Sequence, residues 1–366
     1  MNGNNTSFED NKVILEKINN LRQKALKRRK KHSLEKLNLP ISHWIKEDRL
    51  LDEIGKEFTI ILRSKGCSWG LSKYGGCSMC GYYLDAINED VSTEQLINQF
   101  NFAYNNKINE INNDSKNYIF KIYNSGSFLD DNEIPQEVRT YIYEKISKVE
   151  KIKEFVIESR LEYINAEKLE EIREFFGKKY LEIAIGLETT DDYIRNQYIN
   201  KGFLFKSFMG TLKLLKEYNF GVRVYLLLKP PFLNEQGAID DCSNSIKKLV
   251  DLNVNSISIN PLNIQKGTLA EYLWFQNRYR PPWFYSLFKC LKNSLNQEDL
   301  KFIRILSDPS GAGTKRGIHN CLKKECENSA RERLQNFVFT QKLNELDRIE
   351  YECKCKKRYQ LTKNYF

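Results

Sequence analysis

The chain has 366 residues, 41% of them hydrophobic, which is enough for one large α/β domain or for two to three smaller ones. No stretch approaches the roughly 18 apolar residues of a membrane span, and the first residues lack the apolar core of a signal peptide, so we expect a cytoplasmic protein with no membrane partner. The 58 Lys and Arg residues against 48 Asp and Glu residues give a net charge of +10, which suits either a nucleic-acid partner or a merely solvated basic face.

The N-terminal segment 1–50 is predicted to be a basic helical extension. Lysine and arginine are concentrated in residues 22–32, inside a helix predicted for residues 11–32, and Pro40 marks a break after it. Basic charge of this kind suits a phosphate backbone.

Residues 51–307 alternate between strand and helix patterns. The predicted strands are residues 57–63, 118–123, 154–158, 181–187, 222–228 and 256–260. The predicted helices between them are residues 92–109, 136–149, 166–176, 205–218 and 236–252. Repeated βα units predict an α/β fold, a partial (β/α)6 TIM-like barrel whose chemistry collects at the C-terminal ends of the strands.

Three cysteines follow the first predicted strand. Cys67, Cys77 and Cys80 are separated by nine and by two residues. A structural zinc site and a simple iron–sulfur carrier each need four protein ligands, so three cysteines leave one coordination position open. The alternative is a zinc site completed by a distant histidine or cysteine. Two other cysteines, Cys242 and Cys290, lie in helix-like segments and are predicted to be small buried hydrophobic residues.

Polar motifs follow the next three predicted strands. The turn Ser125-Gly126-Ser127 follows the second strand and allows close approach to its backbone. Glu158 and Arg160 end the third strand, either as polar contacts for a ribose and a carboxylate or as an ordinary ion pair. Glu188 ends the fourth strand.

Two lysines stand at the ends of the last two predicted strands. Lys229 and Lys266 are suited to a carboxylate or phosphate of a substrate, although lysines at a barrel rim are commonly just solvated.

The cysteine trio at the end of a first barrel strand, with Met79 before the last cysteine, resembles the radical S-adenosylmethionine (SAM) superfamily. In that superfamily three cysteines hold a 4Fe–4S cluster, SAM binds the fourth iron, and an electron from the cluster cleaves SAM to a 5′-deoxyadenosyl radical. The resemblance implies that the Ser-Gly-Ser turn accepts the amine of SAM and that Glu188 lies beside its adenine and ribose. It also places Tyr82, Glu158 and Arg160 among the cofactor-binding residues.

The nine-residue gap is uncommon in the superfamily and resembles the elongator catalytic subunit and, more fully, the RaSEA family of archaeosine biosynthesis. The similarity to RaSEA runs from about residue 40 to the C-terminus. It lies in Tyr123-Asn-Ser-Gly-Ser-Phe-Leu-Asp130, Glu158-Ser-Arg160, Lys229-Pro-Pro-Phe-Leu233, Asn260-Pro261, Gln265-Lys-Gly-Thr268, Arg280-Pro-Pro-Trp283 and Arg316-Gly-Ile-His-Asn-Cys321.

RaSEA-like function implies a tRNA partner, a lysine-transferring archaeosine synthase subunit and an electron donor. The synthase attaches lysine to a 7-cyano-7-deazaguanine in the tRNA D-loop, and the radical enzyme then cleaves the C–N bond of the lysine side chain to leave the formamidine of archaeosine. The alternatives are an elongator-like or other radical SAM enzyme that modifies tRNA, and a non-catalytic, zinc-containing RNA-binding protein.

Residues 308–366 are predicted to form a small Cys-rich C-terminal module. Cys321, Cys326, Cys353 and Cys355 supply four thiolates, the number that a closed zinc site needs. Structural zinc is therefore the favoured interpretation, with an auxiliary iron–sulfur cluster or unligated thiols as alternatives. His319 is a candidate to replace one of the cysteines.

Overall fold

The computed structural model describes residues 12–27, 33–84, 86–87, 90–348 and 351–365. Its centre is a curled eight-stranded sheet whose strands stand in sequence order. The first strand runs antiparallel to the second, and every later neighbour is parallel. The strands are β1 Ser42–Arg49, β2 Ile54–Ile61, β3 Tyr118–Tyr123, β4 Ile152–Glu158, β5 Tyr180–Glu188, β6 Gly221–Leu228, β7 Ser256–Pro261 and β8 Arg304–Leu306.

Helices connect the parallel strands and continue beyond the last one. They are α1 Lys12–Leu26, α2 Leu34–Leu37, α3 Ser68–Leu71, α4 Thr93–Asn113, α5 Gln136–Ser147, α6 Ala166–Phe176, α7 Phe205–Glu217, α8 Glu235–Asp251, α9 Leu269–Phe275, α10 Phe284–Ser294, α11 Lys324–Thr340 and α12 Cys355–Thr362. Several begin at polar caps: the Ser92 side chain accepts from the Gln95 backbone N–H in a capping box, and Asn165 and Asn234 accept in the same way. The caps fix where each connection turns from the mouth of the barrel into a helix.

The main hydrophobic core lies between the sheet and the surrounding helices. Phe120 stacks on Phe155 with ring centroids 5.7 Å apart, and Phe155 stacks on Phe176 of α6 at 4.5 Å. Cys242 and Cys290, from α8 and α10, are buried in the same core, which confirms their predicted role as small hydrophobic residues.

A buried ionic network fills the inner side of the sheet near the starts of its strands. Lys121 on β3 contacts Asp48 at 2.6 Å and Glu57 at 2.5 Å, and Arg304 on β8 contacts Glu182 at 3.0 Å. Buried charges are tolerated when they are paired in this way. The network lies near the starts of the parallel strands, away from their C-terminal ends. We call the C-terminal ends of the strands the mouth of the half-barrel.

All six predicted strands are present, as β2 to β7, and the parallel order of the partial barrel is confirmed. The sequence analysis missed β1 and β8. β1 is polar and mostly half-exposed because it is an edge strand, and β8 has only three residues.

The N-terminal prediction is confirmed only in part. Helix α1 covers most of the predicted helix, while residues 11 and 28–32 lie outside the described part of the chain. The helical prediction for segment 1–50 fails at β1, which pairs with β2 along its whole length. None of the described helices is both long and apolar enough to cross a membrane.

Candidate active site and metal centre

The three cysteines of the trio lie in a loop that follows β2 at the mouth of the half-barrel. Cys67 precedes the short helix α3, and each of the three cysteine residues is half-buried. Burial raises the pKa of Cys67 to about 11 and that of Cys80 to about 12, and the nearby Cys77 raises both further. The thiols are therefore near enough to affect one another's ionisation, although the trio is not among the described groups whose ligand atoms all lie within 4.8 Å of one another. A cation such as iron would lower the free-energy cost of ionising them.

Arg22 of α1 holds this cysteine loop from the N-terminal side. Its guanidinium, only 4% exposed, donates to the carbonyls of Gly75 (2.8 Å), Cys77 (3.2 Å) and Cys80 (3.3 Å), and it lies 3.5 Å from the centre of the Tyr83 ring. Three backbone carbonyls on one planar cation fix the loop between the second and third cysteines.

The segment 198–202 holds the loop from the opposite side. Asn200 donates to the carbonyls of Tyr74 (2.9 Å) and Gly76 (2.8 Å), while the indole of Trp69 donates to the Asn200 carbonyl at 2.8 Å. Gly76 has φ +71°, and a Cβ there would lie 2.6 Å from the Cα of Gly70, so this turn requires glycine. The loop is therefore preorganised by contacts distant in sequence.

The Ser-Gly-Ser turn after β3 wraps around a buried carboxylate that the sequence analysis did not select. Glu133 accepts from the backbone N–H of Ser127 at 3.0 Å and from that of Ser68, next to Cys67, at 3.2 Å. A Cβ on Gly126 would fall 1.8 Å from a Glu133 oxygen. Burial raises the pKa of Glu133 to about 8, and the charge of Asp130 adds to this shift against the two N–H donors.

The ends of β4 and β5 bring Glu158 and Glu188 to the same side of the mouth. Glu188, in the left-handed region with φ +69°, forms an ion pair of 2.8 Å with Lys201. Withdrawal from water raises the pKa of Glu158 to about 7, with Lys201 opposing the shift and Glu188 adding to it. These carboxylates and Lys201 make one charged wall.

Arg160 faces the cysteine loop and does not form the ion pair with Glu158 that was one of its two predicted roles. Its side chain contacts Glu162 at 2.5 Å and donates to the Lys201 carbonyl at 3.1 Å, and its guanidinium lies 5.0 Å from the Trp69 ring. The charge of Arg160 lowers the pKa of Cys67, although burial and neighbouring acids outweigh it.

The other predicted contacts are spread around the mouth. Tyr82 begins a 3-10 turn right after Cys80 and is 49% exposed. Lys266 is exposed, and it belongs to a segment that closes on the loop where Gly81 donates to the Gln265 side chain.

Lys229 does not reach the mouth as a free amine. It is 1% exposed and forms an ion pair of 2.6 Å with the equally buried Glu235 at the start of α8. Burial lowers its pKa in spite of this partner. The structure therefore does not support its predicted role as a substrate contact, because both charges are already paired inside the protein.

The four later cysteines converge into a second, closed group. Their sulfur atoms all lie within 4.8 Å of one another, and the sulfurs of Cys321 and Cys353, like those of Cys326 and Cys355, are 3.7 Å apart. A tetrahedron with metal–sulfur bonds of about 2.3 Å has edges of about 3.8 Å, so the group has the size of a four-thiolate metal site and not that of disulfides.

Glu327 orders the turn that carries the first cysteine of this group. Its carboxylate accepts from the backbone N–H groups of Asn320 (2.9 Å), Cys321 (2.8 Å) and Leu322 (2.8 Å). His319 is not a member of the group, because neither of its ring nitrogens lies within 4.8 Å of all four sulfurs; its Nδ1 contacts the Gly317 carbonyl at 2.7 Å. The proposal that this histidine replaces a cysteine is therefore wrong.

The sequence matches two proteins named archaeosine synthase subunit beta. The relative from Methanosarcina acetivorans is 37% identical over 319 residues, which are 87% of this chain and 88% of the relative. The relative from Thermococcus kodakarensis is 35% identical over 319 residues, which are 87% of this chain and 96% of the relative. The chain belongs to the archaeosine synthase subunit beta family. This membership confirms the resemblance to the radical SAM enzymes of archaeosine biosynthesis.

Family models and solved structures give weaker matches than these two relatives. A scan against models of known protein families finds no match. Among solved structures, the archaeal Elp3 of Methanocaldococcus infernus aligns with a TM-score of 0.46 and 11% identity over 66% of this chain and 59% of that chain.

Three residues of this family member that support the mouth were missed from the sequence. Arg22 is one of several cations in a basic run, Glu133 stands six residues after the Ser-Gly-Ser turn, and Asn200 follows a helical turn. Each of them is at least 45 positions from the nearest of the three cysteines, so only the fold brings them to the loop. For Glu133 a weak signal existed, since a carboxylate close to a glycine turn at a strand end is a candidate for a buried polar role.

Proposed function

We propose that the chain is a radical SAM enzyme that acts on tRNA and cleaves the C–N bond of a lysine-modified 7-deazaguanine in the D-loop, leaving the formamidine of archaeosine. The observation that carries the proposal is the three-cysteine loop at the mouth of a partial barrel, in a chain that aligns over 87% of its length with archaeosine synthase subunit beta. The proposed substrate places the activity in the cytoplasm.

Cys67, Cys77 and Cys80 are the proposed ligands of a 4Fe–4S cluster. Three thiols match its need for cysteine ligands and leave one iron for SAM, and the cluster supplies the electron that cleaves SAM reductively. Arg22 and Asn200 hold the backbone of the loop that carries these cysteines, which would limit how far the loop must move to bind the cluster.

The proposed SAM site combines the Ser-Gly-Ser turn with the charged wall. The carboxylate of Glu133, already set against Gly126 and the N–H of Ser68, suits the amine of SAM. Glu158 and Glu188 suit ribose hydroxyls, and Arg160 beside Trp69 suits the carboxylate of SAM. Tyr82 stays a proposed cofactor contact next to Cys80.

For the C-terminal group we propose structural zinc. Four thiols at the separation of a tetrahedral site leave no open position for a substrate, which favours a structural role over catalysis. The four thiolates of an auxiliary iron–sulfur cluster would lie farther apart, because they surround a cluster of several atoms and not a single ion.

The proposed partners follow from the chemistry and from the names of the relatives. A subunit called beta suggests a second subunit, which we take to be the lysine-transferring synthase, and reductive cleavage of SAM requires an electron donor. Lys266, exposed beside the cysteine loop, is kept as a proposed contact for substrate phosphate or carboxylate.

The test is anaerobic turnover. Reconstituted protein is incubated with SAM, a reductant and tRNA that carries the lysine adduct, and 5′-deoxyadenosine and archaeosine are measured by mass spectrometry. We expect both products, each dependent on the lysine-modified tRNA.

Four results would contradict the proposal. Equal 5′-deoxyadenosine with and without modified tRNA, or none with the adduct and the synthase present, argues against this substrate. A different modified nucleoside supports an elongator-like reaction. A colourless zinc protein that binds RNA but takes up no iron is the non-catalytic alternative.

A further inference from the structure

A cationic groove lies between α10 and α12, beside the four-cysteine group. It has a volume of about 390 Å³, and its walls carry Lys289 and Lys292 from α10, Lys356 from α12 and Lys363 directly after α12, with Asp347 and Glu352 as the acidic residues of the lining. Lys292 is paired with Asp347. The other three lysines have no carboxylate within ion-pair distance in the described part of the chain.

Two of these lysines, Lys289 and Lys363, lie close together in the groove. Lys289 is half-buried, and its ammonium has the Gln236 side-chain oxygen as a neutral partner at 3.2 Å. Burial and the charge of Lys363 lower its pKa, while the more distant Asp240 opposes the shift. Two like charges held together at a partly dry surface are stabilised when an anion lies between them.

Aromatic side chains give the groove a second property. Tyr285 and Tyr359 form its floor with ring centroids 5.3 Å apart, and Tyr351 at its edge is 40% exposed. Lysines interleaved with exposed tyrosine suit single-stranded or looped RNA, because the cations bind phosphate and the ring stacks on an unpaired base.

The groove is anchored to the rim of the barrel. The backbone N–H of Gln236 donates to the Lys363 carbonyl at 3.0 Å, and the Asn234 side chain donates to the Asn364 carbonyl at 2.8 Å. Residues 234–236 form the start of α8 directly after the loop that leaves β6, so a chain bound in the groove lies next to the mouth.

We infer that this groove is a binding site for the phosphate backbone of tRNA, outside the catalytic mouth. The inference rests on the proposed function, because it names the surface that would hold the proposed substrate. Cys353 and Cys355 lie between Tyr351 and Lys356, so metal in the four-cysteine group would fix one wall of the groove.

The test measures binding of unmodified, transcribed tRNA to the full, metal-loaded chain by fluorescence anisotropy at several salt concentrations, without turnover. The double variant Lys289→Glu and Lys363→Glu should bind at least about tenfold more weakly, with the slope of log affinity against log salt reduced by about 2. The matched control reverses Lys148 and Lys178, exposed lysines that follow the C-terminal ends of α5 and α6 and precede the starts of β4 and β5, and should leave affinity and slope unchanged.

Zinc content and thermal unfolding show whether the variants are folded. If the double Glu variant loses metal, the milder pair Lys289→Ala and Lys363→Ala decides, with a similar change in slope of about 2 and a smaller loss of affinity. Unchanged affinity and slope in a folded groove variant would overturn the inference, and so would equal losses in the control. Loss of binding to the synthase with tRNA affinity intact would also overturn it. Because the measurement needs no catalysis, tRNA binding without archaeosine formation would count against the proposed function alone.

Discussion

The two cysteine groups of this chain differ both in the number of thiols and in what holds them. The trio lies on a long loop at the mouth, fixed by Arg22 from before the barrel and by Asn200 from behind β5. The quartet lies on a short turn capped by Glu327 and on the approach to α12. A fixed loop that supplies three of four ligands suits a cofactor that must bind one further ligand. Four protein ligands suit a structural metal ion that links two segments of the chain.

The separate roles of the two cysteine groups are tested most directly by removing one thiol from each group. Cys77→Ser should reduce bound iron from about four per chain to below about one and lower 5′-deoxyadenosine formation by at least about a thousandfold, because the cluster loses a required ligand. Its zinc content should stay at one per chain.

Cys353→Ser is the matched counterpart, measured in the same way. It should lose zinc and keep iron and the brown colour of the anaerobic protein. Loss of iron in Cys353→Ser, or an unchanged iron content in Cys77→Ser, would show that the two groups do not have the separate roles proposed for them.

The sequence was sufficient for the features that are local. β-branched runs predicted β2 to β7 because parallel strands are buried on both faces, and the four later cysteines were singled out as a possible metal site before the fold showed them together. β1 could not be predicted because an edge strand has no clear apolar alternation, and its residues were assigned to a helical extension.

The residues that support the site could not be predicted from the sequence, for a different reason. The sequence analysis assigned Arg22 to a basic run that is either solvated or bound to nucleic acid. In the fold its guanidinium is buried and donates to three backbone carbonyls. Lys229 looked like a rim lysine, but Glu235 six residues later draws it inside. Burial depends on what the tertiary structure packs around a charge, which neither composition nor spacing records.

The second test concerns the clamp on the trio. Arg22→Ala should lower the free energy of unfolding by about 3 kcal/mol, because it leaves buried carbonyls without donors, and should reduce iron uptake severalfold. Arg22→Lys should recover only part of this, since one ammonium cannot reach all three carbonyls in the geometry of the guanidinium.

Denaturant unfolding and iron analysis check this prediction. Lys24→Ala, on the exposed side of the same helix, is the control and should change stability by less than about 0.5 kcal/mol. If Arg22→Ala behaves like Lys24→Ala, the clamp does not hold the loop.

The third test uses pH. Because the folded pKa of Glu133 is about 8, above its ordinary value of 4.5, its contribution to stability is present below pH 4.5 and is lost as pH rises through 8. The amine of SAM favours the ionised carboxylate, so SAM affinity of the reconstituted protein should rise up to about tenfold between pH 7 and 9, with proton release at pH 7.

Calorimetry in buffers of different ionisation enthalpy measures this proton release. Glu133→Gln should bind SAM more weakly and lose the pH dependence. A pH profile that is equally steep in Glu133→Gln would assign the titration to another group, with Glu158, whose pKa is about 7, as the next to substitute.

The smallest expected effect belongs to Lys266. Its side chain is exposed, so a contact with substrate phosphate is screened by salt and is worth about 1 kcal/mol or less. Lys266→Ala should therefore raise the KM for modified tRNA by about two- to fivefold at low salt, with kcat and bound iron unchanged, and the difference should vanish at high salt. Lys229→Met should instead lower the thermal unfolding midpoint without a salt-dependent change in KM, because it removes the buried partner of Glu235. A salt-dependent KM change in Lys229→Met, or none in Lys266→Ala, would reverse the roles that burial gives these two lysines.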